Sequence, residues 1–133
     1  MKQIGIKFNN NFFYNPGNSS FKECIKSKIF VDKSEMIYHI NKLINIEQKC
    51  ICVTRPRRFG KTMAAKMLSA YYSKGCDSSQ LFDDLKISKT EGFNDHLNNH
   101  NVIFIDMQAF TSTYNGNPID IFSFIQKSIL DEI

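Results

Sequence analysis

The chain has 133 residues, of which 42% are hydrophobic, and a formal net charge of +4 at pH 7. This length suits one domain, and no run approaches the roughly 18 apolar residues of a membrane-spanning helix. The start, MKQIGIKFNN, lacks the apolar stretch of a secretion signal, so we expect a cytoplasmic protein, and the small positive charge suits an anionic ligand without indicating nucleic-acid binding.

The four cysteines have no C-x-x-C spacing. Cys50 and Cys52 flank Ile51 in an apolar run, where cysteine behaves as a small buried hydrophobe. Without a secretion signal we expect reduced thiols, and we favour that over a metal site or a disulfide.

The first half of the chain predicts an irregular lead-in followed by a helix. Residues 1–20 are rich in asparagine, but the aromatic residues within them should dock on the body of the protein: Phe8, Phe12, Phe13 and Tyr14. Asp32 and Glu35 then have the spacing of a capping box, and helical periodicity follows. We predict a helix over about residues 33–48.

Two apolar segments predict strands, and each is followed by helical sequence. The uniformly apolar Cys50–Thr54 fits a strand that is covered on both faces, and a second strand is predicted over about residues 101–108. A helix begins after the intervening loop and should stop near Gly75, and LFDDLKIS reads as a short helical turn or a loop. The last helix is capped by Asn117, opened by Pro118, and carries apolar residues at helical spacing: Ile121, Phe122, Ile125 and Ile129.

The stretch TRPRRFGKT, residues 54–62, ends like a phosphate-binding loop. Such a loop presents backbone N–H groups to phosphate oxygens, aims a lysine at the β- and γ-phosphates and offers a hydroxyl to Mg²⁺. Gly60 permits close approach of the backbone, Lys61 supplies the charge, and Thr62 supplies the hydroxyl. Arg55 stands where such loops usually begin with glycine, while Pro56 fixes its own φ and holds Arg55 extended.

We therefore predict a nucleotide site with Mg²⁺ on Thr62, formed by the residues of the loop and the first turn after it: Pro56, Arg57, Arg58, Phe59, Gly60, Lys61, Thr62 and Met63. The alternatives are a basic turn with a chance G-K-T, or an RPRR segment that binds nucleic acid or serves as an address. The loop lies between a predicted strand and a predicted helix, and this position favours phosphate binding over these alternatives.

Four blocks of this sequence resemble the AAA-ATPase-like domain of bacterial P-loop proteins: FVDKSEMIYHI, CICVTRPRRFGKTMAAKML, LFDDLKI and VIFIDM. With the upstream GNSSFKECI, the matched blocks run from about Gly17 to Met107. Arg55 in the glycine slot is normal for that family. The resemblance implies ATP binding with Mg²⁺, Lys61 and Thr62 in the roles above, and a possible downstream PD-(D/E)XK nuclease-like domain or other protein partner.

The expected fold class is α/β: a P-loop NTPase-type parallel βαβ core with flanking helices and an incomplete sheet, forming the N-terminal part of one domain over 1–133. Only two strands are predicted, and the last helix reaches Ile133 without a cap. We therefore expect a chain that stops before the strand ending in Asp-Glu that the resemblance implies.

Asp106 follows four apolar residues and has the look of a Walker B aspartate that helps to hold Mg²⁺. Met107 comes next instead of an acidic residue, so the favoured interpretation is an aspartate that starts a turn. His96 and His100 lie four residues apart without a zinc-protease glutamate, and we interpret them as a surface pair.

The leading functional hypothesis is an ATP-binding module of a P-loop ATPase with little hydrolysis. The alternative is a non-enzymatic interaction or nucleic-acid-binding module that keeps a relic loop. The loop alone does not distinguish ATP from GTP.

Overall fold

A computed structural model describes residues 13–133, without the side chain of Thr113. The described part contains seven short α-helices: α1 Ser19–Ile25, α2 Glu35–Asn41, α3 Lys61–Tyr72, α4 Ser79–Phe82, α5 Phe93–His96, α6 Met107–Thr113 and α7 Ile121–Leu130. Two 3₁₀ turns lie at Lys86–Lys89 and Pro118–Asp120. None of the helices in this part is long and apolar enough to cross a membrane.

The predicted parallel βαβ core is wrong for the described residues, which form no β-sheet. Their strand pairing is limited to two isolated bridges, Tyr14 with Ile103 (antiparallel) and Ser73 with His100 (parallel). An apolar run forms a buried strand only if other strands pair with it and helices cover its two faces. Here the two runs do not pair with each other.

The segment 50–54 forms no regular secondary structure and is solvent-exposed, which corrects the prediction of a covered strand. Ile51 and Val53 are 47% and 49% exposed, and Cys50 and Cys52 are exposed rather than buried. All four cysteines are free thiols in this structure.

The first predicted helix forms but is shorter than 33–48. It begins at Glu35 and ends at Asn41, and Asn45 has a left-handed φ of 66°, which a continuing α-helix does not allow. Asp32 does not make the predicted capping box: its Oδ1 accepts from the Ser34 N–H at 2.8 Å, and its Oδ2 accepts from the Lys86 N–H at 2.9 Å. The aspartate therefore joins the start of α2 to the turn at 86–89.

Several other sequence predictions are confirmed. A helix follows the loop directly, LFDDLKIS forms α4 and a 3₁₀ turn, and Asn117 caps the turn that Pro118 opens. The helix α3 ends at Tyr72, and Gly75 lies just beyond it with a φ of +86°. In α7, Ile125 is buried as predicted, but Phe122 is 72% exposed and Phe124 packs inward instead.

The main hydrophobic core is built around α3. Its buried members come from the first five helices, from the turn at 86–89 and from Leu85 just before that turn: Phe21, Ile37, Met67, Ala70, Tyr71, Phe82, Leu85, Ile87 and Phe93. Phe21 stacks on Phe82 with ring centroids 5.2 Å apart. Because α3 is anchored on this core, the loop at its N-terminus has a fixed base.

A second, smaller cluster holds α6 and α7. It contains Phe13, Phe110 and Ile125, and Phe13 stacks on Phe110 at 4.7 Å. The expected docking of Phe13 is therefore confirmed, while Phe8 and Phe12 lie outside the described residues.

Candidate nucleotide-binding site

The loop before α3 makes a tight turn into the helix. The chain forms no regular secondary structure as far as Pro56, and residues 57–60 then turn. Two residues of the turn have a left-handed backbone: Arg58 with a φ of 66° and Gly60 with a φ of 78°. A non-glycine residue in this region costs about 1 kcal/mol or more. Gly60 adopts it without that cost, which accounts for glycine immediately before Lys61.

The first turn of α3 has unused hydrogen-bond donors. No side chain among the described residues caps this helix. Counting from Lys61, the first backbone N–H with a hydrogen-bond partner in this part of the chain is that of Ala64, which donates to the carbonyl oxygen of Gly60. The N–H groups of Lys61, Thr62 and Met63 are therefore available. Together with the partial positive charge of a helix N-terminus, they suit an anion.

Two lysine ammonium groups lie on the loop. Lys61 Nζ folds back to donate to the carbonyl oxygens of Arg55 and, at 3.4 Å, Pro56. Lys33, just before α2, donates from Nζ to the carbonyl oxygen of Phe59. A Cβ on Gly60 would lie 3.0 Å from Lys33 Nζ, so Gly60 also leaves room for this second cation.

A cleft of about 110 Å³ runs beside α3 and begins at Thr62. Its lining combines three hydroxyls, one ammonium group, one carboxylate and apolar surface: Pro16, Gly17, Ser20, Thr62, Lys66, Ser69, Phe104 and Asp106. Ser69 is only 6% exposed, and its Oγ has no hydrogen-bond partner among the described residues. A buried unpaired hydroxyl is costly, and a polar ligand in this cleft could satisfy it.

Asp106 caps α6. Its Oδ1 accepts from the N–H groups of Gln108 at 3.0 Å and Ala109 at 3.2 Å. Its Oδ2 has no hydrogen bond within the described part of the chain, so one carboxylate oxygen remains for a cation. The structure thus brings both sequence-predicted metal residues, Thr62 and Asp106, to one cleft.

The remaining predicted loop residues lie at the surface around this turn. Pro56, Arg57, Arg58 and Phe59 are exposed, and Met63 is half-buried on the first turn of α3. Neither loop arginine forms an ion pair with a described residue. Sequence reasoning did not assign Lys33, Lys66 or Ser69 to the site. Positions 62, 66 and 69 share one helical face, which was a usable signal for Lys66 and Ser69. No motif in the sequence around Lys33 indicates its contact with the loop.

The other sequence candidates stay apart from this cleft. Among the described residues no three metal-ligating side chains cluster. His96 and His100 are half-buried and hydrogen-bonded, with His96 Nδ1 and His100 Nε2 2.9 Å apart. Burial, followed by the neighbouring His96 and Lys74 charges, lowers the pKa of His100. Asp83 and Asp84, which lie between α4 and the turn at 86–89, are exposed.

Comparison with known proteins gives one family assignment. The family model described as Predicted AAA-ATPase matches residues 16–131 of the 133-residue chain. No curated protein and no solved structure matches. Because the match covers most of the sequence and includes the loop and cleft described above, the chain belongs to the predicted AAA-ATPase family.

Proposed function

We propose that this chain binds Mg-ATP at the N-terminus of α3 and turns it over little or not at all. The observation that carries the proposal is the convergence of free donors and positive charge at one turn. Three N–H groups without a partner in the described part of the chain and the ammonium groups of Lys33 and Lys61 meet there. Family membership supports a nucleotide as the anion.

The residues present fit a phosphate chain with its metal. Lys61 would exchange its bonds to the loop carbonyls for phosphate oxygens, which are stronger acceptors for an ammonium group. The Thr62 hydroxyl and the Asp106 Oδ2 are oxygen ligands of the kind that Mg²⁺ prefers. The bound metal would neutralise phosphate charge, and Arg57 and Arg58 would add a salt-sensitive attraction.

Low turnover follows from what the cleft provides. Phosphoryl transfer to water needs a residue that orients the attacking water in addition to a cradle for the phosphates. The cleft lining contains one carboxylate, Asp106, and half of that carboxylate caps α6. Met107 follows it in the sequence, so the acidic residue that comes next in a hydrolytic Walker B strand is missing at this position.

Thermal unfolding with and without Mg-ATP tests the binding. Ligand at one hundred times its Kd raises the free energy of unfolding by about 2.7 kcal/mol. Lys61→Ala should abolish most of that gain, whereas Lys28→Ala, an exposed lysine away from the loop, should keep it. An equal gain in parent and Lys61→Ala would contradict the proposal.

Phosphate release measured on the same proteins tests the turnover. We expect parent and Lys61→Ala to release phosphate at the same background rate under excess Mg-ATP. Steady release by the parent that Lys61→Ala abolishes would overturn the claim of low turnover. An absence of any ligand-dependent stabilisation would favour the alternative, an interaction module with a relic loop.

A further inference from the structure

His96 and His100 face each other across a turn that the backbone holds in place. The helix α5 ends at His96, and Asn98 adopts a left-handed φ of 51°, which reverses the chain. The Asn98 and His100 N–H groups then donate to the carbonyl oxygens of Tyr71 and Tyr72 at the end of α3. The two histidines are therefore positioned by backbone bonds to the main core.

The rings are positioned as well. The His100 ring lies edge-on to the Tyr72 ring, with centroids 5.4 Å apart, and 5.1 Å from the His96 ring. His96 Nδ1 and His100 Nε2 are 2.9 Å apart. Two ring nitrogens at this distance share either a proton or a metal ion.

The distance is compatible with a shared metal ion. In this structure the 2.9 Å separation is that of a hydrogen bond between the two rings. Two imidazole nitrogens bonded to one ion at about 2.0 Å lie about 2.9 to 3.3 Å apart, so small ring rotations would bring both nitrogens onto one ion. Imidazole is a ligand for Zn²⁺, Cu²⁺ and Ni²⁺.

We propose that His96 Nδ1 and His100 Nε2 form a two-point chelate for a divalent transition metal ion of the kind that imidazole binds, such as Ni²⁺. This site is separate from the nucleotide cleft and rests on none of the arguments made for it. Among the described residues no third metal-ligating side chain clusters there, so water would occupy the remaining coordination positions.

Binding has two local requirements. Both facing nitrogens must be free of protons, so the ring that donates in the present hydrogen bond must carry its proton on its other nitrogen. The Lys74 N–H donates to the His100 carbonyl oxygen, and the Lys74 charge, which helps to lower the pKa of His100, opposes a dication. The metal would join the end of α5 to His100, whose backbone is bonded to the end of α3.

Titration of tag-free protein with Ni²⁺ tests the site, followed by calorimetry and by NMR of the histidine rings. The chain has three histidines, so His39→Gln is a matched control: His39 is exposed on α2, and within the described part of the chain its ring contacts neither His96 nor His100. We expect one Ni²⁺ per chain, with broadening of two of the three histidine signals. His96→Gln and His100→Gln should each weaken binding at least tenfold, and His39→Gln should not change it.

Exposed thiols are a competing ligand, so the titration is repeated with Cys50→Ser/Cys52→Ser. Unchanged affinity in that variant supports the histidine site. The proposal is overturned if the cysteine variant loses the binding, if His39→Gln weakens it as much as His100→Gln, or if the parent shows no saturable binding and no selective broadening. The NMR measurement on the parent decides the question even if a histidine variant fails to fold.

Discussion

Lys33 and Lys61 reach the same loop from opposite directions along the chain. Lys61 approaches from the first turn of α3, and Lys33 from the segment before α2. Each ammonium group bonds to a backbone carbonyl, which is a neutral acceptor, and a phosphate oxygen would offer a stronger one. The loop therefore holds twice the lysine charge that its motif alone indicates.

The first prediction concerns that second lysine. Lys33→Ala should weaken Mg-ATP binding by about tenfold, because it removes one charge-assisted hydrogen bond from the phosphate region. Lys33→Arg should retain part of the affinity, and Lys28→Ala should retain all of it. Calorimetric titration measures all four proteins, and a Lys33→Ala affinity equal to that of Lys28→Ala would show that Lys33 only supports the loop.

The second prediction separates the two possible roles of Asp106. Asparagine caps helices about as well as aspartate, whereas alanine loses about 1 kcal/mol at such a position. Asp106→Ala should therefore lower the free energy of unfolding, and Asp106→Asn should leave it almost unchanged. If Oδ2 also holds the metal, Asp106→Asn weakens nucleotide binding in Mg²⁺ but not in EDTA. Equal binding in Mg²⁺ would leave Asp106 with the capping role alone.

Among the elements, α2 depends on a carboxylate outside it. Asp32 accepts hydrogen bonds from Ser34 and from Lys86, 54 residues further along the chain. Burial alone would raise the pKa of Asp32, but the hydrogen bonds from Ser34 and Lys86 and the charge of Lys86 outweigh it and lower the pKa from 3.8. The ionised form is therefore the one that stabilises the fold.

The third prediction is the pH dependence that follows. A depressed carboxyl pKa contributes stability above the unfolded pKa, and that stability is lost as pH falls through the folded value, here below about 4. Asp32→Asn should lower the free energy of unfolding by about 1 kcal/mol at pH 7 and by less in acid. Asp84→Asn, a control at an exposed position, should leave the free energy of unfolding unchanged. Urea unfolding at several pH values measures this, and parallel curves for parent and Asp32→Asn would contradict it.

Elements that depend on local signals were predictable from the sequence, and elements that depend on distant partners were not. Gly60 and the helix after it follow from the loop motif, and Asn117 and Pro118 from capping rules. The strand at 50–54 failed because an apolar run does not determine what pairs with it. Lys33 was missed for the same reason: its contact with Phe59 depends on how two segments 26 residues apart lie against each other.

At the scale of the whole molecule, exposed apolar residues lie on two segments that belong to no helix. They are Ile51, Val53, Ile103 and Ile105. The segment 50–54 makes no backbone–backbone hydrogen bond within the described part of the chain. Unpaired backbone groups beside exposed β-branched side chains are the features by which a strand edge pairs with another chain.

The fourth prediction is that this surface makes the protein self-associate at high concentration. Sedimentation velocity over about a hundredfold range of concentration should show the mean mass increasing for the parent. Val53→Lys should reduce the association, because a charge on an extended edge opposes pairing with a second copy. The control is Ile29→Lys. Ile29 is 82% exposed but lies outside these two segments, so this variant tests whether replacing any exposed apolar residue is enough to reduce the association. Equal effects of the two substitutions would trace the association to general hydrophobicity, and a parent that stays monomeric throughout would contradict the prediction.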